Sequence, residues 1–205
     1  MITEKATIKC EAIFNEDKTH RLLWKRVWDK DKPCACVVML NPCTSDNVIS
    51  DVSTFLAVNN VAKLGEFGGI TVVNIFSLLT TKLDFNNLDL QLNDYQNDNY
   101  IKKSAEEASI VILAWGKSQD SNAKIFHRAE QVLELLKPYQ SKLRVITDGE
   151  RLGLHPLSPA IRAYWDLVNI DEWLNESREK AAAREEKERL KAAEAKARAK
   201  ERVPE

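Results

Sequence analysis

The sequence predicts a three-layer α/β/α sandwich built on a central, mostly parallel sheet of about four strands. Short apolar runs alternate with segments of helical spacing, which is the pattern of strands joined by crossover helices. Two of these runs pass directly into a polar turn, as strands do at the carboxyl edge of a parallel sheet. An alternating segment precedes the runs and a charged segment follows them. We therefore also expect an N-terminal β-hairpin and a C-terminal charged helix.

The hairpin is predicted within residues 6–30, where alternating residues lie on either side of the polar turn 15–18. The central strands are predicted from apolar runs at residues 35–40, 70–76, 110–116 and 143–146. Pro42 cannot continue a central strand, so the first of these strands ends before it.

Three helices are predicted between the central strands. The first begins after Asp51, which is a suitable N-cap, and ends at Gly65. The second covers about residues 97–108, and the third is an amphipathic segment over residues 122–136. The segment 82–97, rich in Asn, Asp and Leu, is predicted to be irregular.

The C-terminal part of the chain differs in composition from the rest. Residues 171–200 are rich in Ala, Glu, Lys and Arg, and pairs such as Glu185 and Arg189 have the spacing of a solvated helix. We therefore divide the chain into an α/β domain, residues 1–170, and a charged helical tail, residues 171–205. The tail is either a single exposed helix or a helix that docks onto a protein partner.

The composition excludes several classes of protein. The formal net charge of -1 gives no overall attraction to nucleic acid, so a nucleic-acid substrate would need a local basic patch. No apolar stretch approaches the roughly 20 residues of a membrane span, and the first residues have no signal-peptide core. We therefore expect a cytoplasmic protein with no membrane association.

The cysteines do not have the spacing of a metal site, and no metal ion or other cofactor is implied. Cys34 and Cys36 point to the same face of a strand, as small buried thiols or as a redox pair. Cys43 follows the Asn-Pro turn, where a thiol could be reactive, although no neighbouring cation is evident in the sequence to lower its pKa.

Three polar residues are expected to meet at one edge of the sheet. Asn41 and Asn74 each follow a predicted strand, and His155 lies in the loop after the fourth strand. The carboxyl ends of parallel strands share an edge, so these side chains are predicted to line one ligand site. Taken singly, each also fits a structural role, as a turn, a strand cap or a buried histidine.

Nearby residues have the same two interpretations. Phe76 and Trp115 are either core residues or an aromatic face on which a base can stack. Asp51 is either a simple N-cap or, like Asp46, a source of negative charge for the site.

An ordered set of motifs resembles domain-of-unknown-function family 1643, a bacterial and phage family. The motifs are Met39-Leu40-Asn41-Pro42-Cys43-Thr44-Ser45-Asp46, Asp51-Val52-Ser53-Thr54, Val72-Val73-Asn74-Ile75-Phe76, Gln96-Asn97-Asp98, Leu113-Ala114-Trp115-Gly116 and Gly153-Leu154-His155-Pro156-Leu157. The resemblance covers about residues 20–165. Cys43 and Val52 depart from the family pattern, which has Ser and Pro there.

A more distant resemblance is to the uracil-DNA glycosylase superfamily. Met39-Leu40-Asn41-Pro42 resembles its water-positioning motif, Val73-Asn74 its base-reading strand end, and His155-Pro156-Leu157-Ser158-Pro159 its late substrate-gripping motif. The resemblance implies an α/β/α sheet and a glycosylase-like enzyme that hydrolyses the N-glycosidic bond of a base in DNA or a nucleotide. Asn41 replaces the usual Asp, and an amide orients water but does not take its proton.

The expected catalytic residues are Asn41, which would hold the water, His155, which would donate to the leaving base, and Asp46, which would supply negative charge. The expected substrate-contacting residues are Pro42, Thr44, Asp51, Asn74, Phe76, Trp115 and Ser158. On a DNA substrate the base would be flipped out, with the loop 155–162 as the wedge. The alternative is a non-catalytic module that binds a nucleotide or base, or a protein-interaction module that works through its tail.

Overall fold

The computed structural model describes residues 1–43, 49–87, 91–120 and 122–175. Contacts divide the chain after Asn169, and the first unit contains a single mixed sheet with its helices. The strands are β1 Lys9–Phe14, β2 Arg21–Val27, β3 Cys34–Met39, β4 Gly69–Asn74, β5 Ile110–Leu113, β6 Leu143–Thr147 and β7 Asp166–Asn169. The helices of this unit are α1 Val52–Lys63, α2 Asn97–Glu107 and α3 Ala123–Leu136, together with short 3₁₀ turns.

The sheet has seven strands in the order β1-β2-β4-β3-β5-β6-β7, whereas we expected a central sheet of about four. Its centre consists of the four predicted strands, and β4, β3, β5 and β6 run parallel to one another. The predicted hairpin, β1 and β2, extends this sheet because β2 pairs antiparallel with β4. The last strand, β7, pairs antiparallel with β6 on the other side. It was missed because it is only four half-exposed residues long.

The central strands are apolar because they are covered on both faces. Every residue of β4 is buried, and so are five of the six residues of β3. Alternate residues of these strands, such as Val37 and Val72, belong to one core cluster that also contains Ala57 and Val61 of α1. The helix therefore packs its apolar stripe onto this face of the sheet.

The predicted cap of the first helix is confirmed, and the third helix begins one residue after the start of its predicted segment. Asp51 caps α1, and its Oδ1 accepts a hydrogen bond from the backbone N–H of Thr54 at 3.0 Å. Asn122 caps α3, and its Oδ1 accepts from the N–H groups of Lys124 and Ile125. These caps fix where each chain segment leaves the edge of the sheet and becomes helical.

The C-terminal unit begins at Ile170, and the chain is helical over residues 170–175. Most of the predicted charged tail lies outside the described residues. Within the described part of the chain, no helix has the length and hydrophobicity that crossing a membrane requires.

Candidate functional site

One pocket lies at the carboxyl edge of the parallel strands. Its volume is about 90 Å³. This is several times the roughly 10–15 Å³ that one water needs, so the pocket has room for a small chemical group. The described residues that line it are Arg21, Met39, Leu40, Asn41, Cys43, Asp51, Ser53, Thr54, Asn74 and His155.

The topology explains why distant residues meet here. β3 and β4 are parallel neighbours in register, with Met39 opposite Asn74, so the residues that end both strands lie side by side. The backbone of β4 continues this pairing, because the N–H of Ile75 donates to the Met39 carbonyl at 2.9 Å. The loop after β6 then brings His155 to the same edge.

The side chain of Asn41 has a defined orientation. Its Nδ2 donates to the Thr80 carbonyl at 2.7 Å and to the Pro42 carbonyl at 3.3 Å. Since both acceptors are carbonyl oxygens, the nitrogen and not the oxygen of the amide faces them. The two N–H bonds are therefore used inside the protein, and Oδ1 is the atom left to accept a hydrogen bond from a ligand.

A hydrogen bond with the backbone also defines the tautomer of His155. Its Nδ1 accepts a hydrogen bond from the backbone N–H of Leu157 at 3.1 Å, so the neutral ring carries its proton on Nε2. Burial lowers the pKa of His155 below its ordinary value, and the negative charge of Asp51 opposes that shift. The ring is therefore a neutral Nε2–H donor at neutral pH.

Gly116 fixes the position of the imidazole. It has a φ of +77°, which glycine adopts without strain, and it follows β5. A Cβ at Gly116 would lie only 2.8 Å from the Cβ of His155. The loop that carries His155 can approach the end of β5 this closely only because residue 116 has no side chain.

Asn74 is buried, with 1% of its surface exposed. Its Oδ1 accepts a long hydrogen bond of 3.4 Å from Nη2 of Arg21, and its Nδ2 has no hydrogen-bond partner among the described residues. Since a guanidinium only donates, Oδ1 must face Arg21, and Nδ2 is a free donor.

The backbone beyond β4 is held by side chains of two helices. Asn97 of α2 donates from Nδ2 to the Asn74 carbonyl at 3.0 Å. Arg128 of α3 donates from Nε to the Ile75 carbonyl at 2.7 Å, and its Nη1 and Nη2 pair with the Asp98 carboxylate. These contacts satisfy carbonyls that leave the sheet ladder, and they hold Asn74 in place.

Arg21 is the functional candidate that our sequence reasoning missed. It begins β2, it is only 2% exposed, and it lines the pocket. Burial lowers its pKa to about 10, and the negative charge of Asp51 opposes the shift. The guanidinium therefore remains charged at neutral pH. The only trace in the sequence is a cation placed directly before the apolar run Leu22-Leu23-Trp24.

Asp51 both caps α1 and lines the pocket. Its Oδ2 accepts from the Thr54 hydroxyl at 2.7 Å, in addition to the capping bond at Oδ1. Cys43 also lines the pocket, and burial raises the pKa of its thiol, so the structure does not activate it as a thiolate. Burial likewise raises the pKa of Cys36 to about 12, as for an inert buried thiol.

The other predicted site residues lie elsewhere or are not described. Pro42, Phe76, Trp115 and Ser158 are not among the described residues that line the pocket. Phe76 packs edge-to-face on Phe85, and Nε1 of Trp115 donates to Gln119 at 2.8 Å. Thr44 and Asp46 lie outside the described residues. The roles of all these residues stay predictions.

No group of three or more His, Cys, Asp or Glu in the described part of the chain is placed to hold a metal ion. The fold and the pocket together define a mixed α/β protein with a polar site at the carboxyl ends of its parallel strands. The model of the family described as "Protein of unknown function (DUF1643)" matches residues 21–157, so the chain belongs to this family. No curated protein and no solved structure gives a significant match.

Proposed function

We propose that this protein is a glycosylase-like enzyme that hydrolyses the N-glycosidic bond of a base, modified or unmodified, in a nucleotide or in DNA. One observation carries the proposal. Asn41, Asn74 and His155 come from three distant segments and line the same pocket. The resemblance to the uracil-DNA glycosylase superfamily supports it, and a three-layer arrangement of that type is part of the proposal.

The orientation of each side chain suits a step of this reaction. Cleavage passes through an oxocarbenium-like state in which negative charge builds on the departing base. The neutral Nε2–H of His155 is a donor for a base oxygen that gains charge. The free Nδ2 of Asn74 is a donor for the edge of the base. The Oδ1 of Asn41 accepts from a water and orients it towards the sugar.

The same geometry predicts a slow reaction unless another group takes the proton of the water. An amide is not a base at neutral pH, and both oxygens of Asp51 already accept hydrogen bonds from Thr54. Asp46 remains the candidate to supply negative charge. Its position lies outside the described residues.

The test replaces His155 by Asn. The amide oxygen of Asn can still accept from the N–H of Leu157, but it cannot place a donor where Nε2 lies. We expect the variant to fold and to lose about 10²–10³-fold in the release of free base, the usual effect of removing one such donor. His127→Asn is the control, because the side chain of His127 is 72% exposed, contacts Glu130 and Phe126, and is not among the described residues that line the pocket.

The substrates for this assay are DNA and nucleotides that carry uracil, mismatched thymine or hypermodified bases. Release by the wild type and by His127→Asn, but not by His155→Asn, supports the proposal. Equal release of base by both variants would show that His155 has no role in the reaction. If no substrate releases base, the enzymatic proposal is wrong.

A second candidate function is a binding module for a nucleotide or a base. The side chain of Asn41 favours it, because its Nδ2 donates to two backbone carbonyls and its Oδ1, the atom left for a ligand, is too weak a base to take the proton of a water. Binding by calorimetry without release of base supports the module. In a third form of this proposal, the charged tail engages a protein partner, and deletion of residues 176–205 would abolish that interaction while leaving ligand binding intact.

A further inference from the structure

Two buried arginines of this protein differ in how their charge is satisfied. Arg128 is 8% exposed, and its guanidinium contacts a backbone carbonyl and the Asp98 carboxylate. Arg21 is 2% exposed, and the only hydrogen bond of its guanidinium to a described residue is the long one to the neutral amide of Asn74. Arg21 has no ion pair in the described structure, and its Nε and Nη1 have no hydrogen-bond partner there.

A charge in this position is costly for the free protein. An isolated ion removed from water loses its hydration, and only close counter-charge or hydrogen bonds offset that loss. The pKa of Arg21, lowered by burial to about 10, still leaves the group charged at pH 7. Asp51 lies in the same pocket, but its carboxylate faces the first turn of α1 and bonds to Thr54.

Among the described residues that line the pocket, the buried polar atoms without a hydrogen-bond partner are all donors. Nε of Arg21 carries one hydrogen, Nη1 carries two, and Nδ2 of Asn74 carries two more, none with an acceptor in the described structure. Both residues line the same pocket, and their side chains contact each other. A ligand that fits this end therefore offers several acceptor oxygens and a negative charge.

We propose that Arg21 and Asn74 form a subsite for a phosphate group, so that the ligand of this pocket is a nucleotide and not a plain nucleoside. A phosphate offers three acceptor oxygens, whereas a carboxylate offers two. A volume of about 90 Å³ suits such a compact group. Because Arg21 is almost completely buried, a terminal phosphate reaches it more easily than the internal phosphate of a DNA strand.

This subsite deepens the proposed function, since it names the class of substrate for the same pocket. It also reassigns Asn74, in part, from the edge of the base to the phosphate. The test measures binding and needs no turnover, so the two proposals can fail separately. Binding of phosphate without release of base would leave the subsite standing and remove the glycosylase. If base is released, and neither added phosphate nor a substitution of Arg21 changes its rate of release, the glycosylase proposal would stand and the phosphate subsite would be wrong.

The experiment titrates the full chain with inorganic phosphate, a nucleoside 5′-monophosphate and the matching nucleoside, by calorimetry and by thermal shift. We expect phosphate and the monophosphate to bind and to raise the melting temperature, and the nucleoside to bind at least tenfold more weakly. An oligonucleotide with internal phosphates alone tests the other source of the group. Binding of the oligonucleotide but not of the monophosphate would overturn the assignment to a nucleotide, as would equal binding of nucleoside and monophosphate.

Arg21→Met and Arg128→Met form a matched pair of variants. If Arg21 serves a ligand, Arg21→Met removes an unpaired charge, so the free protein should melt no lower than the wild type and should not respond to phosphate. Arg128→Met breaks satisfied contacts and should lower the melting temperature. Arg21→Lys keeps the charge without the planar guanidinium and should weaken phosphate binding in a folded protein. An Arg21→Met variant that melts as low as Arg128→Met, or that keeps the response to phosphate, overturns the proposal.

Discussion

Gly116→Ala tests whether the close approach of β5 to the His155 loop positions the imidazole. The substitution has two costs. A φ of +77° is left-handed, and a side chain in that conformation costs about 1–2 kcal/mol. The new Cβ would lie 2.8 Å from the Cβ of His155, closer than real Cβ atoms approach, and such overpacking costs about 1–3 kcal/mol more. The loop must therefore move by several tenths of an ångström, and we expect turnover or ligand affinity to fall by about 10–100-fold.

Gly65→Ala is the matched control. Gly65 has the same φ of +77°, but a Cβ built there meets nothing within 4 Å. Gly65→Ala should therefore lower the free energy of unfolding only by the cost of the left-handed φ, and it should leave the pocket unaffected. Thermal and urea unfolding of both variants measure the difference, at about 2–4 °C per kcal/mol for a chain of this size. If the two alanines cost the same and leave binding and turnover equal, the packing of Gly116 on His155 has no role in the site.

Two further changes test the support of the pocket and its titration. Asn97→Ala removes the donor to the Asn74 carbonyl, and the unpaired buried acceptor should lower the free energy of unfolding by about 1–3 kcal/mol, measured by urea denaturation. An unchanged midpoint would mean that water or another group replaces this bond. Burial lowers the pKa of both His20 and His155 below the ordinary value of 6.5. As the pH falls below that value, the unfolded chain therefore binds more protons at these two residues than the folded protein does. The contribution of the two neutral histidines to the free energy of unfolding should therefore be fully present above about pH 7. It should decline as the pH drops from 6.5 towards the lowered pKa values. Thermal melts between pH 7.5 and 5 check this, and a flat profile, or an equal slope in a variant with His20→Gln and His155→Asn, would contradict it.

The central strands could be predicted because their signal is local. Residues of β3 and β4 are apolar on both faces, and each run stops at a residue that cannot continue it or that turns polar. The extent of the sheet could not be predicted in the same way. Whether β2 pairs only with β1 or also with β4 depends on residues more than 40 positions away, about which the alternation of the hairpin carries no information. β7 is short and half-exposed, and it has almost no pattern of its own.

The position of Asn41, Asn74 and His155 around one pocket could be predicted from the sequence, because it depends on topology more than on side-chain packing. Parallel strands bring their carboxyl ends to one edge whatever their side chains are. The orientation of the amide and the tautomer of the imidazole, which decide the chemistry, could not be predicted from the sequence. The amide of Asn41 is oriented by a carbonyl at Thr80, and the tautomer of His155 by the N–H of Leu157. Neither partner is marked by its residue type, because both contacts are with the backbone.

Arg21 shows why a binding residue can be invisible in a sequence and conspicuous in a structure. At the start of a strand a cation normally reaches water, so the pattern alone gives no reason to notice it. Its burial becomes evident only in the folded structure, and only there do the missing hydrogen-bond partners of its guanidinium destabilise the free protein. A ligand that binds the folded chain stabilises it by RT ln(1 + [L]/Kd), about 2.7 kcal/mol at one hundred times Kd. If the phosphate proposal is right, a stability deficit in the free protein and a strong response to ligand should have the same origin, and Arg21→Met should remove both together.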